Sequence, residues 1–226
     1  MRFVIGGILM PLALLAAGPA FAAGGEHVVD DAAVEAPGTC HLESWVTLSS
    51  HSSGLVNSAP ACTRKAWPNL ELGGFVTHSW TNETHDTLIG LSPKLMLRSE
   101  YRGIGIGVAT SLGYGIDRGR FETASVIMPV TIPAGEKLRF NLNAGWLWAR
   151  AGHRHDMFVG AQAEIALRKN LNLMVENFTR DEGKVGGQAG LRWTVGNGAV
   201  DLDLIGGRYV DGVTRNAISF GVTIRR

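Results

Sequence analysis

The chain has 226 residues, a formal net charge of +1 and 18% charged residues, below the quarter that is usual for a soluble domain. With no basic excess, a nucleic-acid partner is not expected. Thirty glycines suit a protein of tight turns and close strands rather than a helical one, and the two cysteines, lacking a Cys-x-x-Cys spacing, exclude a redox motif.

In chain order, Arg2 supplies a positive start and Phe3 to Gly18 an apolar run. That run is short for a helical span, which takes about 20 residues, and has no basic stop-transfer flank. Ala20-Phe21-Ala22 puts small residues at both positions that a signal peptidase inspects, so residues 1–22 are read as a cleaved signal peptide. Cys40 follows Pro-Gly-Thr rather than a lipobox, and no lipid anchor is expected. Residues 23–39 are small, acidic and Pro-containing, with Glu26, Asp30, Asp31 and Glu35, and are predicted to form a flexible periplasmic extension.

The β-barrel domain is placed at 40–226. Cys40 and Cys62 bracket a turn-like cluster, Ser49 to Gly54, centred on His51. In an oxidising compartment this isolated pair is expected to form a disulfide at the open end of hairpin 40–62, worth roughly 3 kcal/mol in chain entropy. The strands of that hairpin alternate weakly, and Pro60 limits pairing.

From Asn69 the alternation strengthens. Leu72, Val76 and Trp80 share a face, and Ile89, Leu91, Leu95 and Leu97 define the next strand opposite Lys94 and Arg98. Ile104, Ile106 and Val108 then alternate with Gly103, Gly105 and Gly107, which leaves one face nearly bare. The clearest strand sets Leu138, Phe140, Leu142, Ala144, Trp146 and Trp148 on one parity against Arg139, Asn141, Asn143 and Gly145. The pattern continues to Ile218, Phe220, Val222 and Ile224, opposite Ser219, Gly221 and Thr223.

Side chains on a strand alternate faces, so each segment has one apolar and one polar surface. Many such segments joined by short turns predict an all-β, transmembrane, antiparallel up-and-down barrel of about 10–12 strands, with lipid outside. The turns at Ser99–Arg102, Pro133–Glu136, Arg168–Asn170 and Gly196–Gly198 are shorter than the opposite set and are placed on the periplasmic side with the termini. Trp80, Tyr114 and Trp148 near one end, and Phe140, Trp193 and Phe220 near the other, suit the two bilayer interfaces.

The signal peptide, the even run of strands and the turn asymmetry resemble the outer-membrane β-barrel proteins of Gram-negative bacteria. More narrowly, Cys40-His41-Leu42-Glu43-Ser44-Trp45, Pro60-Ala61-Cys62, Asn69-Leu70-Glu71-Leu72-Gly73-Gly74 and Lys137 to Trp146 resemble an uncharacterised proteobacterial family with a Cys-bracketed first hairpin. This resemblance implies the outer membrane as location, its lipid as surroundings and the barrel-assembly machinery as a partner. Such barrels usually end in an aromatic residue, whereas this chain ends Thr223-Ile224-Arg225-Arg226 with Phe220 the nearest candidate.

Inside, Arg139, Glu164, Glu176, Arg192, Asp201 and Asp203 fall on the polar parity with mixed sign. Hairpin register brings Arg139 near Glu164, and Arg192 near Asp201 or Asp203. Two readings follow, a lumenal network of ion pairs or a selectivity ring in a pore. Glu164 and Glu176 have no nucleophile or oxyanion hole beside them, so no enzyme is expected. His153, His155 and Asp156 form the one tight ligand cluster, a weak one on a loop beside Arg154, and neither metal nor other cofactor is expected. Gly103-x-Gly105-x-Gly107 lacks the spacing and the following helix of a phosphate cradle.

The functional expectation is an outer-membrane barrel forming a narrow pore for small solutes. The alternative is a non-conducting structural or interaction barrel. A soluble exported barrel and a lipid-acting enzyme stand further off.

Overall fold

The computed structural model describes residues 27–50, 52–181 and 183–226. The signal peptide expected over residues 1–22 lies outside them. Thirteen strand segments follow one another: β1 (Cys40–Ser49), β2 (Ser53–Thr63), β3 (Leu70–Trp80), β4 (His85–Leu91), β5 (Lys94–Arg98), β6 (Gly105–Gly115) and β7 (Arg120–Pro133). The second half comprises β8 (Leu138–Ala149), β9 (Arg154–Arg168), β10 (Leu171–Arg180), β11 (Gly186–Val195), β12 (Val200–Arg208) and β13 (Ala217–Arg225).

The segments β4 and β5 are two halves of one strand, both lying between β3 and β6. Sequence alternation predicts that strand as continuous, but Ser92-Pro93 breaks it. Proline has no N–H to give to the ladder, and its carbonyl instead accepts from the Thr110 N–H at 3.0 Å. The barrel therefore has twelve strands, all antiparallel and in up-and-down order. Pairing of β1 with β13 and of β2 with β3 closes it, so the first hairpin is part of the wall. Between β2 and β3 the ladder lapses across Ala59 and Pro60, the cost of a second proline in a strand.

Parity decides which solvent each face meets. Leu72, Val76, Val126, Met128, Leu142, Val159 and Leu204 point outward and are 40–55% exposed, while Thr131, Asn141, Gln162, Glu176, Asp201 and Thr223 are buried within. An apolar exterior around a polar interior is the inverse of a soluble barrel and matches lipid outside. The connections at the two ends differ less than the sequence predicts: two to six residues beside the termini, three to eight at the opposite end. Several strands run further than their alternation indicates and absorb part of the expected loops.

Cys40 and Cys62 are direct cross-strand partners and form a disulfide. The bond closes the loop that joins β1 to β2 where β1 also meets the last strand. Replacing both cysteines by serine is expected to cost about 3 kcal/mol, model-dependent. The readout is a lower temperature for the unfolding that converts the compact barrel band to the extended one on a gel.

Candidate functional site

The lumen is occupied. Residues 27–35, part of the stretch 23–39 predicted as a flexible periplasmic extension, lie inside it, entering from the terminus end, while residues 36–38 stay exposed at the mouth. Val29 and Asp31 are fully buried, and Ala32, Val34 and Glu35 are at most 9% exposed. A short acidic, proline-containing stretch buries too little apolar surface to fold alone. It becomes ordered here because the polar wall meets its backbone groups, which must be paired once buried.

The pairing runs along the segment. At its base the Gly38 N–H donates to the Thr63 carbonyl at 2.6 Å. The Glu35 N–H donates to Glu71 Oε2 at 3.0 Å, and the Ala32 N–H to Thr131 Oγ1 at 2.9 Å. Asn143 makes a reciprocal pair with Asp30: its Oδ1 accepts from the Asp30 N–H at 2.9 Å, and its Nδ2 donates to the Asp30 carbonyl at 2.7 Å. Higher still, the N–H groups of Val28 and Val29 both donate to Glu176 Oε2 at 3.0 Å.

The side chains of the segment meet wall charges of opposite sign. Lys94 Nζ donates to Asp30 Oδ1 at 2.9 Å and to Asp31 Oδ1 at 3.2 Å. Arg139 reaches Asp31 Oδ2 at 3.3 Å, and Arg225 Nε donates to Glu35 Oε1 at 2.6 Å. His27 bonds Glu176 and lies 3.8 Å from Asp203 Oδ1. Burial opposes a charge on His27, but Asp203 and Glu176 outweigh it and hold the imidazole up at about 9.

The bare inner face of β6 finds its occupant in the same segment. A Cβ on Gly105 would stand 3.2 Å from Ala32 Cβ, and one on Gly107 would stand 3.1 Å from the Ala32 carbonyl oxygen. Gly160 on β9 makes room for Val29, whose Cγ2 lies 2.7 Å from where a Cβ would be. Val29 completes a small apolar cluster with Phe158 and Phe178, which point inward against the general polarity of the lumen. The Arg180 guanidinium lies 5.7 Å from the Phe158 ring and 5.9 Å from the Phe178 ring.

The wall residues singled out by parity all point into the lumen. Arg139 is the register partner of Glu164, with Nη2 to Oε2 at 2.6 Å, and also faces Glu100 at 3.5 Å. Arg192 is opposite Asp203, with Nε to Oδ1 at 2.8 Å and Nη2 to Oδ2 at 3.1 Å. Asp201 pairs instead with Arg225 at 2.8 Å. Glu176 accepts from Gln162, which accepts from Asn141, which accepts from Thr131, a relay on four neighbouring strands.

The histidine cluster comes apart. His153 sits in a 3-10 turn with φ +52°, His155 faces outward with its ring stacked on Trp146, and Asp156 turns inward to Arg154. On a strand, His155 and Asp156 must face opposite sides. Among the described residues no group of three His, Cys, Asp or Glu is placed to hold a metal.

Sequence reasoning missed Lys94, Asn143, Thr131, Phe158 and Phe178 as contacts of the segment, and the segment itself. One signal was available: glycines and phenylalanines recur on the polar parity of β6, β9 and β10, which a water-filled lumen does not require.

A family model for uncharacterised conserved protein UCP029691 matches residues 11–226, and the chain belongs to that family. No curated protein matches it. Among solved structures, the KdgM porin superposes with a TM-score of 0.61 at 9% identity, over 81% of this chain and 98% of that one. The NanC porin gives 0.60 at 6% identity, over 82% and 98%. An outer membrane channel from Pseudomonas putida F1 gives 0.60 at 11%, over 86% and 97%. KdgM has also been seen in complex with oligogalacturonate. At these identities the likeness is one of fold, that of porin-like outer-membrane barrels.

Proposed function

We propose that this member of the UCP029691 family is an outer-membrane channel for small solutes, narrowed by its own N-terminal segment. The observation that carries the reading is the way the segment is held. It is seated by side chains of β3, β5, β7, β8, β10 and β13, leaving a cavity of about 250 Å3 beside it. A twelve-strand barrel without such a filler has more interior than side chains alone occupy. Export through a cleaved signal peptide, termini facing the periplasm and insertion by the barrel-assembly machinery belong to the same reading.

The test is conductance. In planar bilayers the full mature chain should give small discrete steps, and a variant lacking residues 27–36 should give steps several-fold larger. A fully inserted barrel silent in both forms would refute the channel.

The second reading is a non-conducting structural barrel, favoured by the Thr131–Asn141–Gln162–Glu176 relay and by the ion pairs on Arg139 and Arg192. It expects silence from both proteins. The carboxylate polymer of the KdgM complex is not the solute assigned here, because acids outnumber bases on this lumen wall.

A further inference from the structure

The cavity beside the segment has a distinctive lining. Its ionisable groups are Asp30, Glu43, Glu71 and Lys94, with the imidazoles of His27 and His41, set among hydroxyls such as Ser92 and small apolar residues such as Ala59 and Ala109. The His41 side chain is 6% exposed, yet its Nδ1 makes no hydrogen bond. Glu35 lies 3.7 Å from that nitrogen and Glu71 4.0 Å, and Glu43 lies 3.7 Å from Nε2. These gaps exceed hydrogen-bond length. A buried polar atom left so, on a cavity walled by carboxylates, marks a place where a polar guest completes the contacts.

The wider charge distribution points the same way. Glu43, Glu71, Glu164, Glu176, Asp201 and Asp203 are lumenal carboxylates of the wall, each side chain at most 12% exposed. Against them stand the lumenal cations Lys94 on β5, Arg139 on β8, Arg192 on β11 and Arg225 on β13, with Arg154 and Arg180 nearer the far mouth, where the carboxylates of Glu122 and Asp156 are buried as well. The segment adds Asp30, Asp31 and Glu35 against His27, so the acidic excess holds with or without it. In a narrow, low-dielectric passage fixed charges are screened less than on an open surface and select by sign.

We infer that the lumen admits small cations in preference to anions, and that Glu43 and Glu71 in the cavity are selectivity-determining residues. The inference rests on the channel reading above. The sign of a reversal potential across a KCl gradient tests it, for the full chain and for the variant lacking residues 27–36. The expected result is a permeability to K+ several-fold above that to Cl−. In the truncated background, Glu43→Gln with Glu71→Gln should bring the ratio towards one, and Lys94→Gln should raise it. These opposite shifts would not arise from general damage to the barrel. An anion preference, or a ratio that neither variant moves, overturns the inference while leaving the channel standing. Absence of any current overturns both.

Discussion

Replacing Gly160 by leucine is expected to drive residues 27–36 out of the lumen while leaving the barrel folded. A Cβ there falls 2.7 Å from Val29 Cγ2, closer than real contacts allow, and leucine adds three further carbons. Overpacking of this kind costs about 1–3 kcal/mol, and something must yield. The wall is held by a closed hydrogen-bonded ladder on both sides of β9. The segment is held by side-chain contacts alone over residues 28–35, so the segment yields. The measurement is limited proteolysis of the folded barrel, with cleavage in 27–39 appearing in the variant, together with a several-fold rise in conductance. Gly206→Leu is the matched control, since Gly206 has nothing within 4 Å of its Cβ position and lies on the outward face. If the Gly160 and Gly206 variants behave alike, the segment is not what narrows the lumen.

The second large effect is expected at Arg139. Its guanidinium gathers Glu164, Asp31 and Glu100 around one cation, with the Arg139 side chain 15% exposed and Asp31 fully buried. Arg139→Met leaves these carboxylates facing one another, and removing one partner of a buried ion pair costs about 3–5 kcal/mol. The heat-driven mobility shift should move to markedly lower temperature. Segment 27–36 should become easier to cleave, since Asp31 loses its contact with Arg139 and keeps that with Lys94. Arg139→Met combined with Glu164→Met should recover part of the loss, because fewer uncompensated carboxylates remain. A variant as heat-stable as the parent would show that Arg139 is a solvated lumenal charge rather than a structural hub.

Much of this architecture is legible in the sequence because a strand has a period of two. Once Leu138 to Trp148 alternate, lipid on one face and polar contacts on the other follow, and a one-residue slip in register would reverse every side chain. The same regularity lets hairpin counting set Arg139 opposite Glu164. It fails where the ladder is interrupted, as at Pro93, since proline removes a donor without changing parity. It also misplaces the histidine cluster, because His153 lies beyond the strand in a turn of positive φ.

The sequence by itself determined the barrel, its even strand number, the solvent on each side of its wall and the residues that face inward. These depend on local alternation and on neighbouring hairpins. The tertiary structure alone decided what fills the interior. Val29 meets Phe178, and Asp30 meets Asn143, across more than a hundred residues. Nothing periodic in His27 to Thr39 announces those contacts. The segment takes its conformation from a surface that exists only once twelve strands have closed around it.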